Sequence, residues 1–219
     1  MNLIKILALA LLMAFALPVA SQQQQELKRS TTPTYFKEFK EAKVLQPFGR
    51  FVKVKGNILL KNGAFCYIEE GKVMQAATSN ILGVEFDSVQ FKKIDETQMG
   101  RIVASEGYNH LLCVTTVDMD KFNAENGGGE NLSFFEVADI GPFIAIDSDS
   151  QRREYDKGFP LKDKYYFYIK GVIIPANESQ FKKHVRPDMK RAFKKLMADR
   201  WWSWADENSL KQLLPYLPK

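Results

Sequence analysis

From Gly49 onward, apolar and polar positions alternate with a period of two. Phe51, Val52 and Val54 are set against Lys53 and Lys55, and Ile58 to Leu60 continue the run past Gly56. A period of two places successive side chains on opposite faces of a strand, so the pattern predicts β structure with one buried face. Asn62-Gly63 then supplies a hairpin signal, since a type I′ turn needs two residues with positive φ. Ala64 to Ile68 returns from it, Glu70-Gly71 turns again, and Val73 to Ala76 follows. Ile81 to Phe86, Val89 to Ile94, Arg101 to Ala104 and Leu111 to Val117 continue the series, the last two separated by Glu106-Gly107. Phe134 to Val137, Phe143 to Ile146 and Tyr165 to Ile174 complete it.

About ten short runs at close spacing, with no helical stretch between them, predict a mainly β chain (α+β overall). A parallel sheet would need crossover helices, so the expected body is an antiparallel meander, sandwich or partly open barrel. Asn123 to Asn131, with its three glycines, and Asp147 to Phe159 read as polar loops.

The period changes at Pro175. Asn177 with Gln180 three residues on resembles a capping box, opening a helix through Phe181 and Val185. Pro187 occupies the tolerated first position of a second helix, where Met189, Phe193, Leu196 and Met197 recur at three and four residues. Asp206 caps a last short helix with Leu210, Leu213 and Leu214, ended by Pro215. The organisation expected is a polar lead-in over 22–48, a β domain over 49–176 and a helical segment over 177–219 packed on it. Within the lead-in, Tyr35 to Val44 reads as a short helix or an extended approach.

The first residues obey a different rule. Lys5 precedes an apolar run from Ile6 to Leu17, which Pro18 breaks, and Val19-Ala20-Ser21 offers small residues before Gln22 to Gln25. That order is the pattern of a signal peptide cleaved near Ser21. The run is too short to cross roughly 30 Å of hydrocarbon as a helix. Export to the periplasm or the exterior is therefore expected. It leaves Gln22 to Lys219, long enough for one sizeable core. Export also makes nucleic acid an unsuitable partner. In an oxidising compartment, Cys66 and Cys113 can either form one disulfide or remain two buried thiols; the reading leans to thiols.

Charge then singles out one region. Glu178 to Lys219 holds ten Lys/Arg against five Asp/Glu, whereas Gln22 to Asn177 holds twenty against twenty-one. Lys182, Lys183, Arg186, Lys190, Arg191, Lys194 and Lys195 crowd the first two helices, and Trp201, Trp202 and Trp204 follow. Basic faces beside indoles suit anionic surfaces. The plainer expectation is that the cations are a solvated face while the apolar stripe and the tryptophans pack on the sheet.

Other chemistry is thin. His110 and Cys113 lie three apart in a strand-like run and so point to opposite faces. His184 sits in the basic helix as a solvated polar residue. Neither histidine has the clustered partners a zinc site requires, and no cofactor motif is present. Asp118-Met119-Asp120 and Asp147-Ser148-Asp149 are fragments of calcium loops without the later ligands or the sharp-turn glycine. Gly127 to Gly129 lacks the Lys-Ser/Thr of a phosphate loop.

The runs Tyr165-Tyr166-Phe167-Tyr168-Ile169-Lys170-Gly171 and Ile173-Ile174-Pro175-Ala176-Asn177 carry a resemblance. So do Asn80-Ile81-Leu82-Gly83-Val84 and Asn62-Gly63. Together they resemble uncharacterised secreted or periplasmic β-rich proteins of Gram-negative, gut-type bacteria with a short helical C-terminus. The resemblance implies an envelope or secreted location and carries no catalytic residues.

The functional expectation is a non-catalytic binding or structural module. Its partner would be an envelope protein, a polysaccharide or an anionic membrane surface, met by the tail or by a sheet face bearing Phe86, Phe91, Tyr165 and Phe167. The alternatives are a hydrolase acting on an envelope or dietary polymer through scattered carboxylates, and a peripheral membrane protein held by the basic tail.

Overall fold

A computed structural model describes residues 28–125, 143–144 and 158–219. The signal-peptide segment, the run Phe134 to Val137, Gly127 to Gly129 and Asp147 to Asp149 lie outside the described residues.

The described chain is mainly β, an antiparallel sheet curled into a half-barrel with short helices near the C-terminus. The strands are β1 (Arg29–Ser30), β2 (Lys40–Leu45), β3 (Phe51–Ile58), β4 (Phe65–Glu69), β5 (Lys72–Gln75), β6 (Gly83–Phe86) and β7 (Val89–Lys93). They continue with β8 (Met99–Glu106), β9 (Asn109–Val117), β10 (Phe143–Ile144), β11 (Phe159–Ile169) and β12 (Val172–Pro175). Their order is β1-β11-β9-β8-β7-β6-β2-β3-β4-β5-β10, with β12 beside β11. Two meanders, β2 to β5 and β6 to β9, thus run outward in opposite directions from the β2–β6 pair.

β2 corrects the expected lead-in. Lys40 to Leu45 is a central strand whose Ala42 and Val44 are buried, so the sheet begins before Gly49. Tyr35 and Phe36 precede it and pack their rings on Phe91 and Phe86.

The turns also differ from expectation. Gly63 has φ +74, but Asn62 is not left-handed; Gly63 N–H donates to Leu59 O, and Ala64 N–H donates to Asn62 Oδ1. This longer turn reaches across the barrel, where Met99 N–H donates to Gly63 O and Val117 N–H to Leu60 O. The paired positive φ values of a type I′ turn occur instead at Glu70-Gly71 and Lys170-Gly171. The second of these splits the expected run Tyr165 to Ile174 into β11 and β12.

Register identifies the inner face. Phe65 on β4 and Phe86 on β6 are separated by β3 and β2, roughly 14 Å along a flat sheet. Their ring centroids are 6.3 Å apart, so the face that carries them is concave. Gly56 makes room for this closure: a Cβ there would stand 2.5 Å from the Phe65 ring. The same concave cluster holds Ile58, Val84, Phe91 and Met99.

The C-terminal segment consists of α2 (Glu178–Phe181), α3 (Lys190–Met197) and α4 (Glu207–Lys211), with α1 (Met119–Glu125) earlier in the chain. The caps follow the sequence: Gln180 N–H donates to the Asn177 side chain, and Ser209 N–H to that of Asp206. The first helix is shorter than expected, ending at Phe181, and a short 3-10 turn over Pro187–Met189 leads into α3. Phe181, Val185, Phe193, Leu210, Leu213, Leu214 and Leu217 bury themselves against Leu111, Phe167, Ile169 and Ile174 of the sheet. Asn109 Nδ2 donates to Pro218 O at 2.7 Å and ties down the chain end. No helix among the described residues is long and apolar enough to cross a membrane.

Candidate functional site

The basic residues of the C-terminal segment divide cleanly. Lys182, Lys183, Lys190, Arg191, Lys194 and Lys195 are exposed, whereas Arg186 is half-buried, pairs with Asp188 at 3.2 Å and leaves its Nε buried without a partner among the described residues. Helical spacing explains the exposure, because Phe193, Leu196 and Met197 turn inward on α3 and the cations take the other side.

The tryptophans divide as well. Trp202 and Trp204 pack on the helical core and on each other, ring centroids 4.6 Å apart, and Trp204 meets Phe181 edge-on. Trp201 is 91% exposed, held outward by a turn in which its N–H donates to Asp199 Oδ1. The expectation that the tryptophans pack on the body therefore holds for two and fails for the third. Likewise Phe86, Phe91 and Phe167 are buried core and present nothing to a partner; of that group only Tyr165 is half-buried.

Both cysteines are buried free thiols, so the disulfide alternative is not realised. Cys66 on β4 lies against Asn57 O, and Cys113 on β9 lies near Thr115. Burial pushes each thiol up to about 12.

A second polar locus, not singled out from the sequence, lies on the concave face. Tyr165, Cys113, Arg101 and Phe91 are register partners on β11, β9, β8 and β7, and therefore form one row on one face. Val84 and Val44 extend the row into the apolar wall. Beside it, Asp163 pairs with Thr115. Thr115 Oγ1 donates to Asp163 Oδ1, and Lys28 Nζ donates to Asp163 Oδ2 at 2.7 Å. Burial works to raise the Asp163 carboxyl, but these donors outweigh it and hold it below the ordinary carboxylate value. From the helical segment, Glu207 reaches Arg101 Nη2 at 3.4 Å and is also paired with Lys211 at 2.8 Å.

On the opposite face of β9, His110 Nδ1 lies 2.8 Å from Ser105 Oγ, a cross-strand pair. Burial, and then Lys92 nearby, lower the His110 pKa, so the ring is neutral near pH 7. Its ring neighbour is Tyr168, over which Lys92 sits, and among the described residues no carboxylate orients it as a triad would need. Cys113 points away from it, as spacing requires. His184 is half-buried on the helical segment. Asp118 closes the first turn of α1 and faces Lys162 at 3.8 Å, and no metal-binding cluster is found among the described residues. Asp163 is a poor general acid for polymer hydrolysis, because that role needs a carboxyl raised above its ordinary range.

Comparison with known protein families, with curated proteins and with solved structures finds no match in any of the three.

Proposed function

We propose that the protein is an exported, non-catalytic binding module that docks on an anionic membrane surface through the outer face of its C-terminal segment. The observation that carries this reading is Trp201, 91% exposed and four residues past the end of α3, whose cations are exposed. A large indole left in water has no packing role, whereas at a lipid headgroup layer its apolar ring and N–H are both accommodated. The cations supply attraction: each Lys or Arg near an anionic surface contributes about 1 kcal/mol. Lys182, Lys190, Arg191, Lys194 and Lys195 have no ion-pair partner among the described residues, so docking breaks no internal bond. The neighbouring Trp202 and Trp204 fasten this face to the sheet, which lets the β body act as a rigid support.

Co-sedimentation with vesicles tests this. Binding is expected to phosphatidylcholine vesicles containing phosphatidylglycerol and not to phosphatidylcholine alone, and to weaken as salt rises. Trp201→Ala should reduce binding, and charge-neutralising changes at Lys190, Arg191, Lys194 and Lys195 should abolish it. Equal binding to neutral vesicles, or full binding by the neutralised variant, would overturn the reading. Stronger capture by a sulfated polysaccharide than by vesicles would replace the membrane with a polyanionic glycan.

A further inference from the structure

The polar row inside the half-barrel contains a cation with spare donors. Arg101 is half-buried, with its side chain 23% exposed, and its single side-chain hydrogen bond among the described residues is the 3.4 Å contact to Glu207. Its Nε is buried and has no partner among the described residues. A guanidinium presents five N–H donors in a planar fork, and a buried donor left unmade is costly. Structural arginines in such positions normally have these donors satisfied.

The surroundings define what would satisfy them. Tyr165 and Arg101 flank Cys113 in the row, and Tyr35 packs on Phe91, the register partner of Arg101 on its other side. Neither hydroxyl has a hydrogen-bond partner among the described residues. Burial holds the Tyr165 phenol above its ordinary value, so it stays a neutral donor. Around these three groups lie rings and apolar side chains: Phe91, against which Tyr35 packs edge-on at 5.4 Å, and the cluster behind it. The charges nearby are Lys28, Arg101 and Lys211 against Asp163 and Glu207. One added negative charge completes that balance, while a dianion would meet two fixed carboxylates.

We propose that Arg101, Tyr165 and Tyr35 form a binding site on the concave face for a small organic monocarboxylate with an apolar body. The carboxylate takes the fork of Arg101, the two phenols donate to its oxygens, and the apolar part lies on the half-buried rings of Tyr35 and Phe36. Such a paired, charge-assisted contact is the geometry for which arginine is suited. Glu207 competes with the ligand for the same guanidinium. Its long contact to Arg101 and its shorter one to Lys211 allow it to yield without being left unpaired.

Benzoate serves as the probe, followed by the Arg101 Nε–H resonance of the 15N-labelled protein. Saturable movement of that resonance is expected with benzoate and not with benzamide or inorganic phosphate. Arg101→Gln should remove binding, and Tyr165→Phe should weaken it about three- to tenfold, keeping the test informative if the arginine variant folds poorly. Glu207→Gln should tighten benzoate several-fold, a change that a merely structural Arg101–Glu207 link would not produce. No movement at Arg101 in the folded protein, equal binding of phosphate, or unchanged affinity in Tyr165→Phe and Glu207→Gln together would overturn the proposal. Vesicle binding is read separately on the basic helices, so failure of either idea leaves the other standing.

Discussion

The row that crosses the concave face changes character half-way. Val44, Val84 and Phe91 on β2, β6 and β7 sit in a dry aromatic wall, whereas Arg101, Cys113 and Tyr165 on β8, β9 and β11 carry polar atoms. Both halves belong to one row of register partners with the same inward direction, although β8 carries an irregularity between Ile102 and Ala104 just past Arg101. What differs is the covering. The apolar half is closed by its own curvature and by the rings of Tyr35 and Phe36. On the polar half, Lys28 and Glu207 arrive from outside the central sheet to neutralise buried charge. A strand face can therefore be inward without being hydrophobic, provided that distant segments bring partners to it.

The comparison is sharpest in stability. Phe86→Ala should cost about 3–5 kcal/mol in denaturant unfolding, as expected for emptying a closed aromatic core. A loss below about 1 kcal/mol would show that the wall is not the closed half of the row. Within the helical segment the same logic separates adjacent indoles. Trp204→Ala should cost about 2–3 kcal/mol, while Trp201→Ala should stay within about 0.5 kcal/mol. Equal effects would mean that Trp201 is not free of the body.

Asp163 tests the polar half by pH. Its folded pKa is depressed, so its contribution is present above the unfolded value of about 3.8 and is lost as pH falls through the folded value. Asp163→Asn should lower stability at neutral pH by about 1–2 kcal/mol, a figure kept small because the Lys28 end is solvent-screened. It should also flatten the acid limb of the stability curve below about pH 4. An unchanged acid limb would remove Asp163 from the charge balance. The smallest effect is expected at the thiols. With both pushed up to about 12 by burial, neither Cys66 nor Cys113 should react with iodoacetamide at pH 8 in the native protein. Both should react once the chain is denatured, and labelling of native Cys113 would show that the row opens more widely than its buried side chain allows.

Much of this architecture was legible in the chain. Alternation marked most strands, the Asn177 and Asp206 caps marked helix starts, and the apolar stripe of α3 marked its buried side. Turn chemistry was less transparent. Asn62-Gly63 carries the stronger dipeptide signal, yet the barrel draws that turn across to β8 and β9, and the I′ geometry falls at Glu70-Gly71 and Lys170-Gly171. β2 was hidden because Lys40 to Leu45 alternates weakly and follows a polar segment. Its place at the centre of the sheet depends on pairing with β3 and β6, which no local pattern encodes.

The candidate sites divide along the same line. Local sequence determined the basic face of the C-terminal segment, since helical spacing alone sends Arg191, Lys194 and Lys195 away from Phe193. Only the tertiary structure decided which tryptophan stays outside, because that depends on the turn at Asp199 and on the surface available to Trp202 and Trp204. Only the tertiary structure, too, could bring Lys28, Tyr35, Arg101, Asp163, Tyr165 and Glu207 to one face. Periodicity says which side of a strand a residue occupies; which distant charge meets it there follows from strand order, curvature and the path of the chain ends.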